Sequence, residues 1–132
     1  MIEITEKQFE QQIKDLAELF GRSYYHTHRS QFSPAGFPDC IMASTERKPL
    51  LIAAELKVGN NQPTFEQYVW IRFFQFLGEQ TDGLVDGFLW YPEDIEEFAK
   101  VIQGEVYDGK HNQEHQVLVP SLSGECADSP AD

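Results

Sequence analysis

Between Leu50 and Lys57 the chain reads LLIAAELK. An apolar run this short, preceded by Pro49 and followed by the loop GNNQP at 59–63, is long enough for a buried strand and too short for a typical helix. A strand apolar at successive positions is covered on both faces, so the rest of the chain has to supply layers on either side of it. The run nevertheless ends on charge. Side chains alternate faces along a strand, which sends Glu55 and Lys57 to one side and Leu56 to the other. A carboxylate and an ammonium at the exit of a buried strand need a reason.

The flanking segments predict the remaining elements. Thr5 can cap a helix over about 6–20, with Phe9, Ile13, Leu16 or Ala17, and Phe20 recurring at helical spacing and Gly21 ending it. SYYHTH at 23–28 has strand-forming residues, and RSQFSPAGFP is a Ser, Pro and Gly rich loop. DCIMAS and PLLIAAELK then read as two strands joined by the polar TERK in a hairpin, with Pro49 at the first position of the second strand. Thr64 and Gln67 form a capping box at the head of a second helix. Val69, Trp70, Phe73, Phe74 and Leu77 are its expected buried stripe and Gly78 its stop. GLVDGFLWY is a further strand, and Pro92 opens a short acidic helix, PEDIEEFAKVI. The expectation is an α/β domain over 1–103 with a small mixed sheet between helices, followed by an acidic, loosely ordered tail over 104–132.

The net charge of −12 at first argues against a nucleic-acid partner, because phosphates are neutralised by Lys and Arg. The distribution weakens that objection: residues 1–81 hold 10 acids and 8 bases, whereas 82–132 hold 12 acids and 2 bases. No run approaches the roughly 20 apolar residues of a membrane span and the N-terminus lacks a secretory pattern, so a cytoplasmic protein is expected. Cys40 reads as a buried strand thiol and Cys126 as a tail thiol, at no spacing that suggests a disulfide or zinc framework.

The hairpin brings a second carboxylate into play. With its turn centred near Arg47, paired residue numbers sum to 94, and Asp39 falls opposite Glu55 with Cβ atoms about 4.5–5.5 Å apart. Two such carboxylates repel unless a cation or a proton intervenes. A divalent ion resolves the conflict, since Mg²⁺ is commonly held by one or two carboxylates together with substrate phosphate. Lys57 would stand beside it to stabilise developing negative charge. The same residues also fit an exposed ion pair and a turn aspartate, and a one-residue slip in register would part Asp39 from Glu55.

The ordered set GFPDC at 36–40, AAELK at 53–57 and TFEQYVWIRFF at 64–74 resembles the VRR-NUC (virus-type replication-repair nuclease) family of the PD-(D/E)XK nuclease superfamily. The likeness runs over about residues 3–103: ITEKQFEQQIKDLAELFG is similar to that family's opening helix, YYHTH to its first strand and FLWYPEDIEEF to the turn into its last helix. It implies a restriction-endonuclease-like core and metal-dependent cleavage of DNA, branched, flapped or junction DNA in particular, by a homodimer in replication, repair or recombination. It further implies that Asp39, Glu55 and the Leu56 backbone carbonyl hold Mg²⁺ or Mn²⁺, that Lys57 is the catalytic lysine, and that Gln67 faces the site. Glu6 matches the family's helix glutamate best, with Glu10 one turn later as the competitor. Arg29, Ser30, His26 and Arg72 are candidate DNA contacts, although His26 and His28 also read as ordinary strand and loop histidines. The loop before GFPD offers Arg29 alone and Tyr91 stands where relatives tend to carry Arg, so the basic surface is sparse. The aromatic run WIRFFQF has the spacing of core rather than of a base-stacking platform. A different class of function also fits the composition: a non-catalytic acidic protein that binds a partner, or mimics DNA, through its C-terminal region.

Overall fold

The structure, a computed structural model, describes residues 3–28 and 34–109. Arg29, Ser30 and the acidic tail beyond Gly109, with Cys126 in it, lie outside the described residues.

Helix α1 (Glu6–Leu19) starts where Thr5 and Gln8 close a capping box, and it buries Phe9, Ile13 and Ala17 along one stripe. Strands β1 (Ser23–His26), β2 (Cys40–Ala43), β4 (Leu51–Leu56) and β5 (Val85–Trp90) form one sheet in the order β1-β2-β4-β5. β2 runs antiparallel to both β1 and β4, and β5 runs parallel to β4, which makes the sheet mixed. Helix α2 (Phe65–Gln80) fills the crossover from β4 to β5, and α3 (Ile95–Gln103) follows β5 after a 3₁₀ turn at Pro92–Asp94. The protein is therefore α/β, a small mixed sheet flanked by helices.

The sheet's two faces differ. Cys40, Met42, Ile52, Ala54, Leu56 and Trp90 share a buried cluster with Phe9 and Ile13 of α1 and Phe98 and Ile102 of α3. By alternation, Asp39, Ala53 and Glu55 point to the opposite face, where α2 lies against β5 and β4. Residue by residue, β2 and β4 pair as Cys40 with Ala54 and Ala43 with Leu51, so the register centred on Arg47 is the one adopted.

Several expectations are corrected. The link between β2 and β4 is longer than TERK: it holds a two-residue strand, β3 (Arg47–Lys48), and Pro49 stands before β4 instead of opening it. β3 pairs antiparallel with β6 (Glu105–Val106), and the Tyr107 amide donates to the Glu46 carbonyl, so ordered chain continues past residue 103. Helix α2 passes through Gly78 and ends at Gln80. Its buried positions are Gln67, Ile71, Phe74 and Gly78, while Val69 and Phe73 are exposed.

Arg22 had no assigned role and is buried. Its guanidinium donates to the carbonyls of Ile102 (2.6 Å), Pro49 (2.7 Å) and Val101 (3.4 Å), tying the exit of α1 to the β2–β4 link and the end of α3. Burial, and secondarily Arg47, lowers its pKa to about 10, which leaves it charged at neutral pH. Arg22→Met is expected to cost about 2–3 kcal/mol in urea unfolding, because charged donors leave and buried carbonyls lose partners.

Candidate active site

The loop before β2 is shaped by close approach. Gly36 has φ +99°, and a Cβ there would meet the Glu66 backbone and Cβ at 2.7 Å. Only glycine lets this loop lie on the head of α2. Phe37 then packs edge-on against Trp70, ring centroids 5.0 Å apart, and Pro38 is fully buried. The loop is thereby fixed from both sides, and Asp39 emerges at the start of β2. One of its carboxylate oxygens, Oδ2, accepts the Leu56 amide at 2.8 Å, binding Asp39 to the end of β4.

Glu55 is the neighbour across the hairpin, only 1% exposed. Its Oε2 lies 3.5 Å from Lys57 Nζ, and Lys57 is itself largely covered. Oε1 is buried with no hydrogen-bond partner among the described residues. Burial pushes the Glu55 carboxyl up to about 8, the nearby charge of Asp39 adds to the rise, and Lys57 opposes it. A buried, half-satisfied carboxyl is costly, and packing does not need one there.

Gln67 is buried at the third position of α2. The box foreseen in the sequence is present: Thr64 N donates to Gln67 Oε1 at 2.8 Å and Gln67 N to Thr64 Oγ1 at 3.2 Å. Capping therefore occupies the side-chain oxygen and leaves the Nε2 group out of the cap, and Gln67 borders the same cavity as Asp39. The structure thus brings together Asp39, Glu55, the end of β4 at Leu56, and Lys57, with Gln67 on the helix that covers the same face.

Other expected residues fall elsewhere. Glu6 is exposed in the first turn of α1. The α1 glutamate with a partner in the sheet is Glu10, whose Oε1 is 3.6 Å from His26 Nδ1. His26 pairs with Cys40 and so belongs to the α1 face of the sheet, opposite Glu55. Its ring meets His28 edge-on at 5.4 Å. Arg72 is exposed, donates to Gln75 Oε1 at 2.7 Å and lies 4.0 Å from Glu79 Oε2, turned away from Gln67. The aromatic run is also less buried than its spacing implies: Phe65 is 79% and Phe73 51% exposed, and Tyr68 and Phe76 are exposed too. Cys40 is the buried core thiol expected, with burial raising its pKa.

A cavity of about 580 Å³ opens beside Asp39, between β1, the loop at 34–38 and the head of α2. Tyr25, Thr27, Phe37 and Trp70 line it with Gln67. Sequence reasoning did not single these out as site residues. Alternation along YYHTH, which sets Tyr25 and Thr27 on one face, was the available signal.

The donor set can be tested against a metal. Among the described residues no three His, Cys, Asp or Glu side chains converge, which leaves two carboxylates and strand-end backbone. That set suits a hard, oxygen-seeking ion that keeps waters and takes substrate oxygens, and it does not suit zinc. The unpartnered Glu55 Oε1 is the observation that fits a cation. Among the described residues no helix is long and apolar enough to cross a membrane. Comparison with protein-family models, curated proteins and solved structures finds no match to this chain.

Proposed function

We propose that the protein is a Mg²⁺- or Mn²⁺-dependent DNA endonuclease of VRR-NUC type on a restriction-endonuclease-like core. The observation that supports it most is Glu55: a buried carboxyl facing Asp39 and Lys57, with one oxygen unpartnered and its proton affinity raised. Such a perturbed group, set opposite an aspartate that borders a cavity, is a marker of function.

Asp39 and Glu55 would hold the ion, Asp39 being oriented by the Leu56 amide. When bound, the ion supplies charge neutralisation at the phosphate and lowers the pKa of water. Lys57 holds its ammonium where a water or a non-bridging phosphate oxygen gains charge, and Glu55 fixes that ammonium from the other side. Gln67 keeps the head of α2 over the site through its cap and offers an amide donor. In the reaction a water oxygen attacks phosphorus as its proton passes to solvent, one P–O ester bond breaks, and the departing alkoxide takes up a proton from solvent as the hydroxyl of the released end. The sparse basic surface suits a substrate held at a branch or end more than tight binding of long duplex.

The test is calorimetric titration of Mg²⁺ and Mn²⁺ into wild type and Asp39→Ala, followed by incubation of both with linear, flapped and four-way-junction DNA. Metal binding and cleavage in the wild type, both lost in Asp39→Ala, are expected. Metal binding with no cleavage of any DNA moves the reading to another phosphoester. No metal binding at all overturns it in favour of the acidic partner-binding protein.

A further inference from the structure

The cavity beside Asp39 has a chemistry that the hydrolytic site does not explain. Three aromatic side chains, Tyr25, Phe37 and Trp70, contribute to its wall. Two of them are held in place: Trp70 stands edge-on to Phe37 and packs on Phe74 at 6.2 Å, so these rings are ordered before any ligand arrives. Tyr25 is 58% exposed on the other side. Between them lies Thr27, whose hydroxyl oxygen is buried yet has no hydrogen-bond partner among the described residues. The carboxylates in the lining are Asp39 and Glu66, His28 stands at its rim, and no Lys or Arg is among the described residues that form it.

Two carboxylates, a buried unpartnered hydroxyl and three aromatic rings favour a neutral, flat, partly polar group. The cavity's volume falls within the roughly 300–1,000 Å³ of small-molecule sites. We propose that the cavity receives an unstacked nucleobase, adjoining the phosphodiester that Asp39 and Glu55 act on, with aromatic rings against its faces and Thr27 on its edge. This rests on the hydrolytic reading above and narrows it. Splaying a base out of continuous duplex costs a few kcal/mol, whereas a flap, mismatch or frayed end presents one at little cost. The enzyme therefore selects DNA by whether a nucleotide next to the cut can leave the stack.

Two measurements on the full chain test this. The first is tryptophan fluorescence with deoxyadenosine, a nucleoside lacking phosphate, against inorganic phosphate. Deoxyadenosine is expected to quench wild type but not Trp70→Leu, whose remaining Trp90 lies in the core, and phosphate to have no effect. The second is kcat/KM on flapped DNA for Tyr25→Ala and Trp70→Leu, each checked for native circular dichroism and metal binding. Stacking on one ring is worth about tenfold to a hundredfold, so losses of that size are expected with metal affinity unchanged. Folded variants that cut flapped DNA at the wild-type rate, or quenching by phosphate and not by deoxyadenosine, overturn the base site and leave the nuclease reading standing. If the wild type cuts no DNA, the nuclease reading fails, and the quenching experiment still decides whether the cavity takes a base.

Discussion

Glu55→Gln is expected to abolish metal binding and lower DNA cleavage about a thousandfold or more, while making the metal-free protein more stable above pH 8. The loss follows from removing one of two carboxylates that hold the ion, since a bound metal supplies several kcal/mol of charge stabilisation. The gain in stability has its own origin. Burial and Asp39 raise the folded-state pKa of Glu55 from 4.5 to about 8. A carboxyl raised in this direction binds its proton more tightly in the folded chain than in the unfolded one. Its stabilisation is complete below about pH 4.5 and is lost as pH rises toward 8. The wild type without metal should therefore lose stability as pH rises from about 4.5 toward 8, a slope that glutamine removes. Urea unfolding in EDTA at pH 5, 7 and 8.5 reads this directly, and added Mg²⁺ should reverse the order of the two proteins at pH 8.5 by stabilising only the wild type. If Glu55→Gln is instead the less stable protein at every pH, Glu55 serves chiefly as the partner of Lys57 and the active-site reading is wrong. A site that destabilises its own fold until it is loaded is the usual trade between activity and stability.

How much of this was legible depended on whether a residue's role is local. Capping is local, and Thr64 with Gln67 could be read directly from four letters. The register of β2 on β4 was only conditionally legible: a turn centred near Arg47 gives the pairing of Cys40 with Ala54 that is adopted, but the letters equally allow a one-residue slip, and the link that sets the centre is longer than TERK. Roles set by distant partners were hidden. Arg22 reads as a surface charge, and only the arrival of Ile102 and Pro49 carbonyls makes it a buried clamp. Glu10 and Glu6 lie on similar sides of α1, and the position of His26 in β1 decides which has a partner in the sheet. The stripe of α2 was misread for a related reason. Positions 69, 70, 73, 74 and 77 are the more apolar set, but the buried set is 67, 71, 74 and 78, which includes a glutamine and a glycine. Hydrophobic periodicity measures apolarity, whereas burial here is decided by how closely two backbones can approach.

That approach gives the second large prediction. Gly87 in β5 faces α2, and a Cβ added to it would lie 2.7 Å from the Ile71 carbonyl oxygen and 2.8 Å from Phe74 Cβ. Gly78 in α2 faces β5 in turn, where a Cβ would collide with the Val85 carbonyl oxygen. In both cases the main obstacle is backbone, which cannot swing aside as a side chain would, so the helix has to lift from the sheet. Gly87→Ala is therefore expected to cost about 3 kcal/mol or more, at the upper end of what overpacking usually costs. Phe73→Ser, which removes a half-exposed ring in contact with Trp70 and Phe74, should cost about 1 kcal/mol, well below Gly87→Ala, although by apolarity Phe73 was the better core residue. Because Gln67 and Trp70 ride on the same helix, any Gly87→Ala protein that remains folded should also cut DNA more slowly with little change in metal affinity, the ion being held by the hairpin and not by α2. Equal losses in metal binding and cleavage would mean that α2 and the hairpin move as one body, and full tolerance of alanine would mean that the helix sits farther from β5 than these contacts place it.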